Sequence, residues 1–364
     1  MKDIKEIRNK INLVDKQMAE LFQQRMQLCH DVADYKKEHA LPIEDLKREN
    51  EIIHNNSQMI EDLTLRPYYI DYLHALMNIS KHYQCYLNEG MKIAYCGVEG
   101  AFAFIAAKKV FDCQQLIAFE NFSKAYEAVE NGQCDACVLP LENSYAGEVG
   151  EVMDLMFSGS LYLNNIISLN ITHNLLAKKE TNISQIKNVI SHPQALAQCK
   201  PFLNDYHFNT IAHSNTAIAA KELALSNDLT TAVIASEDVA SIYDLKILKG
   251  NINENKNNTT RFGVFTKILQ PQQKLKTGNH FILLFTVLNE AGALAKALNI
   301  IGAHNFNMRT LKSRPLKQLI WNYYFFVEID GTIDSIDGQD MLIELKSVCD
   351  QVKVVGTYYS HVEK

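Results

Sequence analysis

The 364-residue sequence contains no run of about eighteen apolar residues, so it has no segment of the kind that crosses a bilayer as a helix. Its opening, Met-Lys-Asp-Ile-Lys-Glu-Ile-Arg, lacks the apolar core of a secretory leader, and no signal peptide is expected. There is no basic excess either. Against 36 Lys and Arg stand 42 Asp and Glu, a net charge of -6, which does not suggest nucleic-acid binding. The eight cysteines are scattered, with one Cys-x-x-Cys pair at Cys134 and Cys137 and no second pair to complete a zinc site. That pair sits in an alternating pattern that reads as a buried strand, and unpaired cysteines suit a reducing cytoplasm. Low-complexity tracts and internal repeats are absent. What remains is ordinary globular material, 47% hydrophobic and 21% charged, long enough for two to three domains.

Three stretches differ in period. In the first, Ile4, Ile7, Ile11, Val14, Met18, Leu21, Leu28 and Val32 recur at steps of three and four, which predicts one long helix. Glu38-His-Ala-Leu-Pro42 breaks it. A second helix is expected from about Ile43 to Asn56 and a third from Arg66-Pro67 to about Tyr86, with Pro67 suited to a first turn. From residue 92 to about 268, buried strands (Ile93–Gly97, Ala136–Leu139, Val189-Ile190, Ala232–Ala235) alternate with helical patterns (Phe122–Asn131, Gln194–Leu203, Thr216–Leu225). This predicts α/β with a mainly parallel sheet. After a polar stretch from Leu269 to Gly278, residues 280–358 read strand, helix, strand, strand, helix, strand, the βαββαβ order of a ferredoxin-like α+β domain. The strands are Phe281–Leu288, Met308–Arg314, Asn322–Ile329 and Lys353–Tyr358, and the helices about Gly292–His304 and Gln339–Gln351.

On the first predicted helix, Arg25 and Lys36 are eleven residues apart, which returns to within ~20° of one face over a rise of ~16 Å. Arg8 lies seventeen residues before Arg25, ~25 Å along the axis and ~100° around it. Arg8 cannot reach a small ligand held by Arg25 unless it comes from a second copy of the chain. Taken alone, such cations read as solvated charges on a bundle. As a set, Ile7-Arg8-Asn-Lys-Ile11, Asp15, Arg25, Lys36, Pro42-Ile43-Glu-Asp45, Arg48-Glu49 and Ser80-Lys-His-Tyr-Gln84 resemble the all-helical chorismate mutases over nearly all of residues 1–88. The resemblance implies an intertwined dimer in which Arg8 is donated across the interface. It makes Arg8 and Arg25 clamps for the two carboxylates of chorismate. It makes Lys36 and Gln84 donors to the ether oxygen and Glu49 the holder of a substrate hydroxyl, with Asp45, Arg48 and Ser80 in support. These residue types suit the chemistry. A Claisen-type rearrangement needs a compact substrate conformer and positive donors where the breaking C–O bond gathers charge, and arginine clamps carboxylates in a bidentate way.

In the second stretch, three polar sequences fall at strand–helix junctions: Pro140-Leu-Glu142-Asn143-Ser144, Ser191-His192-Pro193-Gln194, and Asn258-Thr-Thr260-Arg261-Phe262. Open α/β folds hold ligands at such junctions, where helix N-termini favour anions. Singly, Ser144 or Ser191 could be a helix cap and Thr260 an ordinary strand residue. With the Gly97-Val-Glu-Gly100-Ala-Phe102 turn, Asn215-Thr216 and Ser236-Glu237, they resemble the prephenate dehydratases over residues 92–268. That resemblance implies two α/β lobes similar to type-2 periplasmic binding proteins, with the site in the cleft. Thr260 would assist departure of the ring hydroxyl and Arg261 would organise carboxylates. Asn143, Ser144, Ser191, Gln194, Thr216 and Phe262 would line the site. No cofactor is required. Ala103 stands where the family pattern has serine; the intact Asn-Ser and Thr-Arg-Phe segments favour retained activity.

In the third stretch, Glu290-Ala-Gly292-Ala293-Leu294, Asn307-Met308, Ser313-Arg314-Pro315 and Trp321-Asn-Tyr323 resemble the ACT regulatory domains of those enzymes over residues 279–364. Gly292, Ala293, Leu294, Asn307, Met308 and Ser313 would then bind phenylalanine, with Lys312 standing where the family pattern has glutamate. A plain dimerisation module of the same fold is the alternative for this stretch. Together the resemblances imply a cytoplasmic homodimer or higher homo-oligomer that rearranges chorismate, dehydrates prephenate to phenylpyruvate and senses phenylalanine. Its partners would be these small molecules, with no nucleic acid, membrane or metal. An arogenate dehydratase fused to the mutase, or a mutase fused to a non-catalytic amino-acid-sensing module, are the other readings.

Overall fold

The computed structural model describes residues 3–39, 41–112, 114–272, 278–316 and 323–359. The predicted strand start at Trp321-Asn322 lies outside them. The chain divides into two compact units, residues 1–91 and 92–364.

The first unit is helical: α1 (Ile4–Glu38), α2 (Leu46–Ser57) and α3 (Arg66–Glu89). Asp3 and Asp45 cap α1 and α2 by accepting main-chain N–H bonds from Lys5 and Arg48, and Pro67 opens α3. The uninterrupted period carries α1 through 35 residues, ~52 Å. Its carboxyl-terminal half buries Cys29 and Ala33 while α3 buries Leu73, Met77, Ser80 and Gln84. Its amino-terminal half leaves Ile4, Ile7, Ile11, Val14, Met18 and Leu21 exposed.

The second unit runs β1 (Lys92–Cys96), α4 (Phe102–Val110), β2 (Gln115–Phe119), α5 (Phe122–Glu130), β3 (Ala136–Asn143), β4 (Gly147–Glu148), α6 (Gly150–Ser158) and β5 (Tyr162–Asn170). It continues β6 (Asn174–Ala177), β7 (Asn188–Ser191), α7 (Pro193–Gln198), α8 (Lys200–Asp205), β8 (Asn209–Ala212), α9 (Thr216–Leu225), β9 (Thr231–Ala235), α10 (Glu237–Ile242) and β10 (Lys246–Lys249). Strand β11 (Thr259–Thr266) returns to the first group, and the chain ends with β12 (Asn279–Thr286), α11 (Ala293–Ala303), β13 (Met308–Pro315), β14 (Tyr323–Asp330), α12 (Ile336–Val348) and β15 (Gln351–Tyr359).

These strands form two sheets. Strands β6 to β10 make a five-stranded lobe in the order β10-β6-β9-β7-β8, and the others join a larger sheet ordered β13-β14-β12-β15-β5-β11-β3-β1-β2. The expectation of a mainly parallel sheet needs correction. Pairs β1–β2, β1–β3, β7–β8 and β7–β9 are parallel, but β11 is antiparallel to both β3 and β5, and β6 is antiparallel to β9 and β10. The chain crosses between lobes at residues 171–173 and again at 250–258, and the second crossing returns β11 against the direction of β3. Elements β12 to β15 follow β-α-β-β-α-β order, with α11 and α12 packed on the face bearing Phe281, Leu283 and Val327. The opposite face of those strands packs Ile282, Leu284, Phe326 and Tyr358 into the same core as Met153, Met156 and Phe265. At the junction of the two strand groups, Gly356 lies beside Leu163. A Cβ there would sit 1.9 Å from the Leu163 carbonyl oxygen, so only glycine fits. Among the described residues, no helix is long and apolar enough to cross a membrane. Cys134 and Cys137 are buried in the lobe core.

Candidate functional site

The helical unit gathers several of the expected residues where α1 and α3 touch. Arg25 donates to the Ser80 hydroxyl and approaches the Cys29 sulfur at 3.7 Å. Ser80 and Gln84 share one buried face of α3, and the Gln84 side-chain carbonyl has no hydrogen-bond partner among the described residues. Lys36 reaches across the α1–α2 turn to the Ile43 carbonyl at 2.5 Å. Glu49 is held by Lys81 at 3.1 Å, a cation that the sequence reading passed over. Asp45 serves as the cap of α2, and Arg48 turns outward to Glu51 at 3.4 Å. Arg8 stays exposed on the far half of the same straight helix, and one copy of the chain does not bring it to Arg25.

In the second unit, β3 and β11 pair so that Asn143 lies opposite Thr260. The polarity of this pair is fixed by hydrogen-bond bookkeeping. The Asn143 side-chain oxygen accepts from the main-chain N–H groups of Tyr145 and Ala146, both at 3.0 Å. Its amide nitrogen must therefore be the donor to Thr260 Oγ1 and to Asn258 Oδ1, both at 2.8 Å. Thr260 Oγ1 accepts, which leaves its own O–H free to donate. Asn258 in turn donates to Gln198 Oε1 at 2.9 Å. Gln198 and Asn258, with Tyr145, Glu254 and Asn255, line a cavity of about 290 Å³ beside this pair.

The remaining expected residues are distributed less uniformly. Ser144 ties the strand ends together, accepting from the Thr259 N–H at 3.0 Å. Gln194 and Thr216 open α7 and α9 at the carboxyl ends of β7 and β8. Ser191 is fully buried and spends its hydroxyl on the Ile234 carbonyl at 2.7 Å, so it braces β7 against β9 instead of facing the cleft. Ala103 is buried near the start of α4, where the preceding residue supplies no side-chain cap. Phe262 is buried on the Thr260 side of β11.

Arg261 departs from expectation. Strand alternation turns it to the opposite face from Thr260. There it donates to Glu142 at 2.8 Å, to Glu328 at 2.6 and 3.2 Å, and to the Tyr358 hydroxyl at 3.3 Å. Burial alone would raise the Glu142 and Glu328 carboxyls. Bonds from Lys312 and Arg261 to the first, and from Arg261 and Tyr358 to the second, outweigh it and hold both below the ordinary range. Lys312 meets Glu142 at 2.7 Å, and Arg314 meets Glu148 at 2.5 Å and Asp154 at 3.2 Å. Lys312 and Arg314 thus tie β13 to β3, β4 and α6.

Among the expected sensor residues, Gly292 takes a left-handed φ of +82° before Ala293 starts α11. Leu294 lines a shallow pocket with Leu288, Glu290, Tyr323 and Phe325, and Ser313 pairs with Phe325 on the same sheet face. Asn307 instead bonds Asp330 at 2.7 Å, and Met308 pairs with Ile329, both at the other end of β13.

The sequence profile of the prephenate dehydratase family matches residues 93–268, and that of type II chorismate mutase matches residues 7–85. A bifunctional chorismate mutase/prephenate dehydratase of Buchnera aphidicola (subsp. Acyrthosiphon pisum) is 31% identical over 97% of this chain and 95% of that protein. The chain belongs to the bifunctional chorismate mutase/prephenate dehydratase family. It is accordingly an enzyme with both activities. A prephenate dehydratase from Arthrobacter aurescens, solved in complex with L-Phe, shares the fold at TM-score 0.69 and 23% identity, over 75% of this chain and 91% of that one. GqqA, described as a novel type of quorum quenching acylase, also superposes at TM-score 0.69 with 25% identity, over 74% of this chain and 98% of that one. The architecture therefore accommodates more than one chemistry, and the two family profiles with the near-full-length relative, not the fold, carry the assignment.

Sequence reasoning missed Gln198 and His173, which bonds Gln198 at 2.8 Å, and gave Asn258 no role of its own. Gln198 was within reach, being one helical turn after Gln194. Asn258 stands two residues before Thr260. Nothing local marks His173.

Proposed function

We propose that the helical domain, residues 1–88, rearranges chorismate to prephenate, and that residues 92–268 convert prephenate to phenylpyruvate in a cleft between two periplasmic-binding-like lobes. Arg25, with Arg8 from a second chain in an intertwined dimer, clamps the carboxylates of chorismate. Lys36 and Gln84 donate to the ether oxygen, Glu49 holds the ring hydroxyl, and Asp45, Arg48 and Ser80 keep α2 and α3 in place. The dimer is supported by the exposed apolar residues of α1, whose half-length around Arg8 has no covering element among the described residues of its own unit.

In the second site, the C–O bond to the ring hydroxyl and the C–C bond to the ring carboxylate break. Carbon dioxide leaves, the released electron pair completes the aromatic ring, and the departing hydroxide takes one proton from solvent to become water. Thr260 donates its O–H to the departing oxygen. The observation that carries this role is the fixed sense of the Asn143–Thr260 bond, which leaves the hydroxyl proton for the substrate. Threonine is a weak acid, but aromatisation supplies the driving force, so a hydrogen bond suffices. Asn143, Ser144, Gln194, Thr216 and Phe262 shape the cleft. Ser191 and Arg261 support it from behind.

Residues 279–364 form a ferredoxin-like ACT domain that senses phenylalanine through Gly292, Ala293, Leu294 and Ser313, with Asn307 and Met308 contributing at the far end of β13. The enzyme works in the cytoplasm. The test supplies purified protein with chorismate alone and follows chorismate, prephenate and phenylpyruvate, with and without phenylalanine. Conversion to phenylpyruvate that phenylalanine slows is expected. Thr260→Ala should stop at prephenate, and Arg25→Ala should spare only prephenate supplied directly. Loss of both activities in either well-folded variant would overturn the two-site assignment.

A further inference from the structure

His173 sits in the crossing between the lobes, just before β6. It is 3% exposed, and its ring lies edge-on to Phe102 at 5.8 Å. Its main-chain N–H is held by Asn253 Oδ1 at 2.6 Å, and Asn253 is itself anchored to the Ile171 carbonyl at 2.6 Å. The main chain at His173 is therefore held independently of Gln198. Its Nε2 lies 2.8 Å from Gln198 Oε1, the same oxygen that accepts from Asn258. An oxygen that already accepts one bond can only accept the other, so Nε2 carries the hydrogen. Every bond from His173 through Gln198, Asn258 and Asn143 to Thr260 then has one permitted sense. The chain is fixed at one end by the Tyr145 and Ala146 N–H groups and ends at the His173 ring, whose hydrogen on Nε2 follows from that sense.

We propose that His173 is a positioning residue of the dehydratase site, holding the Gln198 amide so that its oxygen orients Asn258 and its NH2 group faces the cavity. The inference rests on the role of Thr260 given above and adds the group that keeps the relay from inverting. Without the Nε2–H, the Gln198 amide can turn over. Its NH2 then faces the NH2 of Asn258, and Asn258 can satisfy it only by turning too, which sets its own NH2 against the pinned NH2 of Asn143. Asn143 then keeps its bond to Thr260 but loses the Asn258 oxygen that helps hold its amide in place.

The test compares wild type, His173→Phe and His173→Gln in the full-length enzyme, with prephenate as substrate and chorismate consumption as an internal control. The ring without a donor should lower the dehydratase kcat by about tenfold, with the loss in kcat more than in KM, while chorismate consumption is unchanged. His173→Gln, which restores an N–H donor at similar reach, should recover most of it. Because His173 acts through Gln198, the double variant His173→Phe/Gln198→Leu should be no slower than Gln198→Leu alone. Undiminished kcat in His173→Phe, or losses that multiply in the double variant, would overturn the proposal. If His173→Phe does not fold, a folded His173→Gln as slow as Gln198→Leu overturns it, and near-wild-type kcat supports it. Thr260→Ala is run alongside: phenylpyruvate formation by that variant would remove the Thr260 reading itself, which no outcome at His173 can do.

Discussion

Replacing Arg261 with methionine keeps the stem and removes the guanidinium. Glu328, whose side chain is 3% exposed, is then left with the Tyr358 hydroxyl as its hydrogen-bond partner among the described residues. Breaking a buried pair from one side costs about 3–5 kcal/mol, and the partial exposure of Arg261 places this case near ~3 kcal/mol. For a unit of this size ~3 kcal/mol lowers Tm by about 6–12 °C. Adding Glu328→Gln removes the stranded charge and should restore more than half of the loss. The pH dependence has a definite sign. In wild type the Glu142 and Glu328 carboxyls lie below 4.5, so their contribution is complete above the unfolded value and falls away as pH drops through the lower folded values. In the variant, Glu328 keeps its burial without the guanidinium. Its carboxyl rises, and the variant loses stability as pH climbs through the unfolded value. The Tm gap should therefore narrow between pH 7 and about pH 4. Circular dichroism melts at both values measure it, and a gap under about 1 °C at pH 7, or one that does not narrow, refutes the electrostatic account. Steady-state kinetics refute the placement instead. A carboxylate clamp lost from the cleft would raise KM for prephenate about tenfold or more, whereas an arginine behind the strand should leave KM nearly unchanged.

Two further outcomes follow from the same interface. Lys312→Glu exchanges an ion pair with Glu142 for repulsion from Glu142 and Glu148, and should cost about 1 kcal/mol at low salt. The difference in Tm from wild type should shrink toward about 1 M salt, and a salt-independent difference would point to packing. Gly356→Val drives a side chain into the Leu163 carbonyl, so β15 must leave β5. A stability loss of at least about 1–3 kcal/mol is expected in thermal melts, and an unchanged Tm would contradict the close approach.

Helix α1 was legible from its sustained 3.6-residue period, and α3 and α9 from their starts, Pro67 in the first turn and Asn215 as the cap, whereas α6 and α10 were given no bounds. The short strands β6, β8 and β10 were not, since four residues are too few to show alternation, and β5 was overlooked although it spans nine. Lys200-Pro201 broke the single predicted helix over Gln194–Leu203 into α7 and α8. At the site, the Thr-Arg-Phe segment marked β11, and a period of two already implied that Thr260 and Arg261 face opposite ways. The sequence did not disclose what lay behind the strand. The partners Glu328 and Tyr358 are 67 and 97 residues away and belong to another strand group. The same holds for Lys312, whose departure from the family pattern was visible but whose contact with Glu142, 170 residues distant, was not.

That two-sidedness ties the C-terminal strands to the proposed dehydratase site. One pair of strands, β3 and β11, presents Asn143 and Thr260 to the cleft and, one residue away on each strand, Glu142 and Arg261 to the opposite face. The cleft pair is joined by a hydrogen bond of 2.8 Å, and the rear pair is tied to β14, β15 and β13 through Glu328, Tyr358 and Lys312. A rigid rotation of a strand about its own axis moves the side chains of both faces together. A rotation of β11 that moved Arg261 by one hydrogen-bond length would displace the Thr260 hydroxyl in the opposite sense, and the Asn143 bond is too short to absorb it. On the proposed assignment, a shift of β13 or β14 large enough to turn β11 would reach the Thr260 hydroxyl through these bonds.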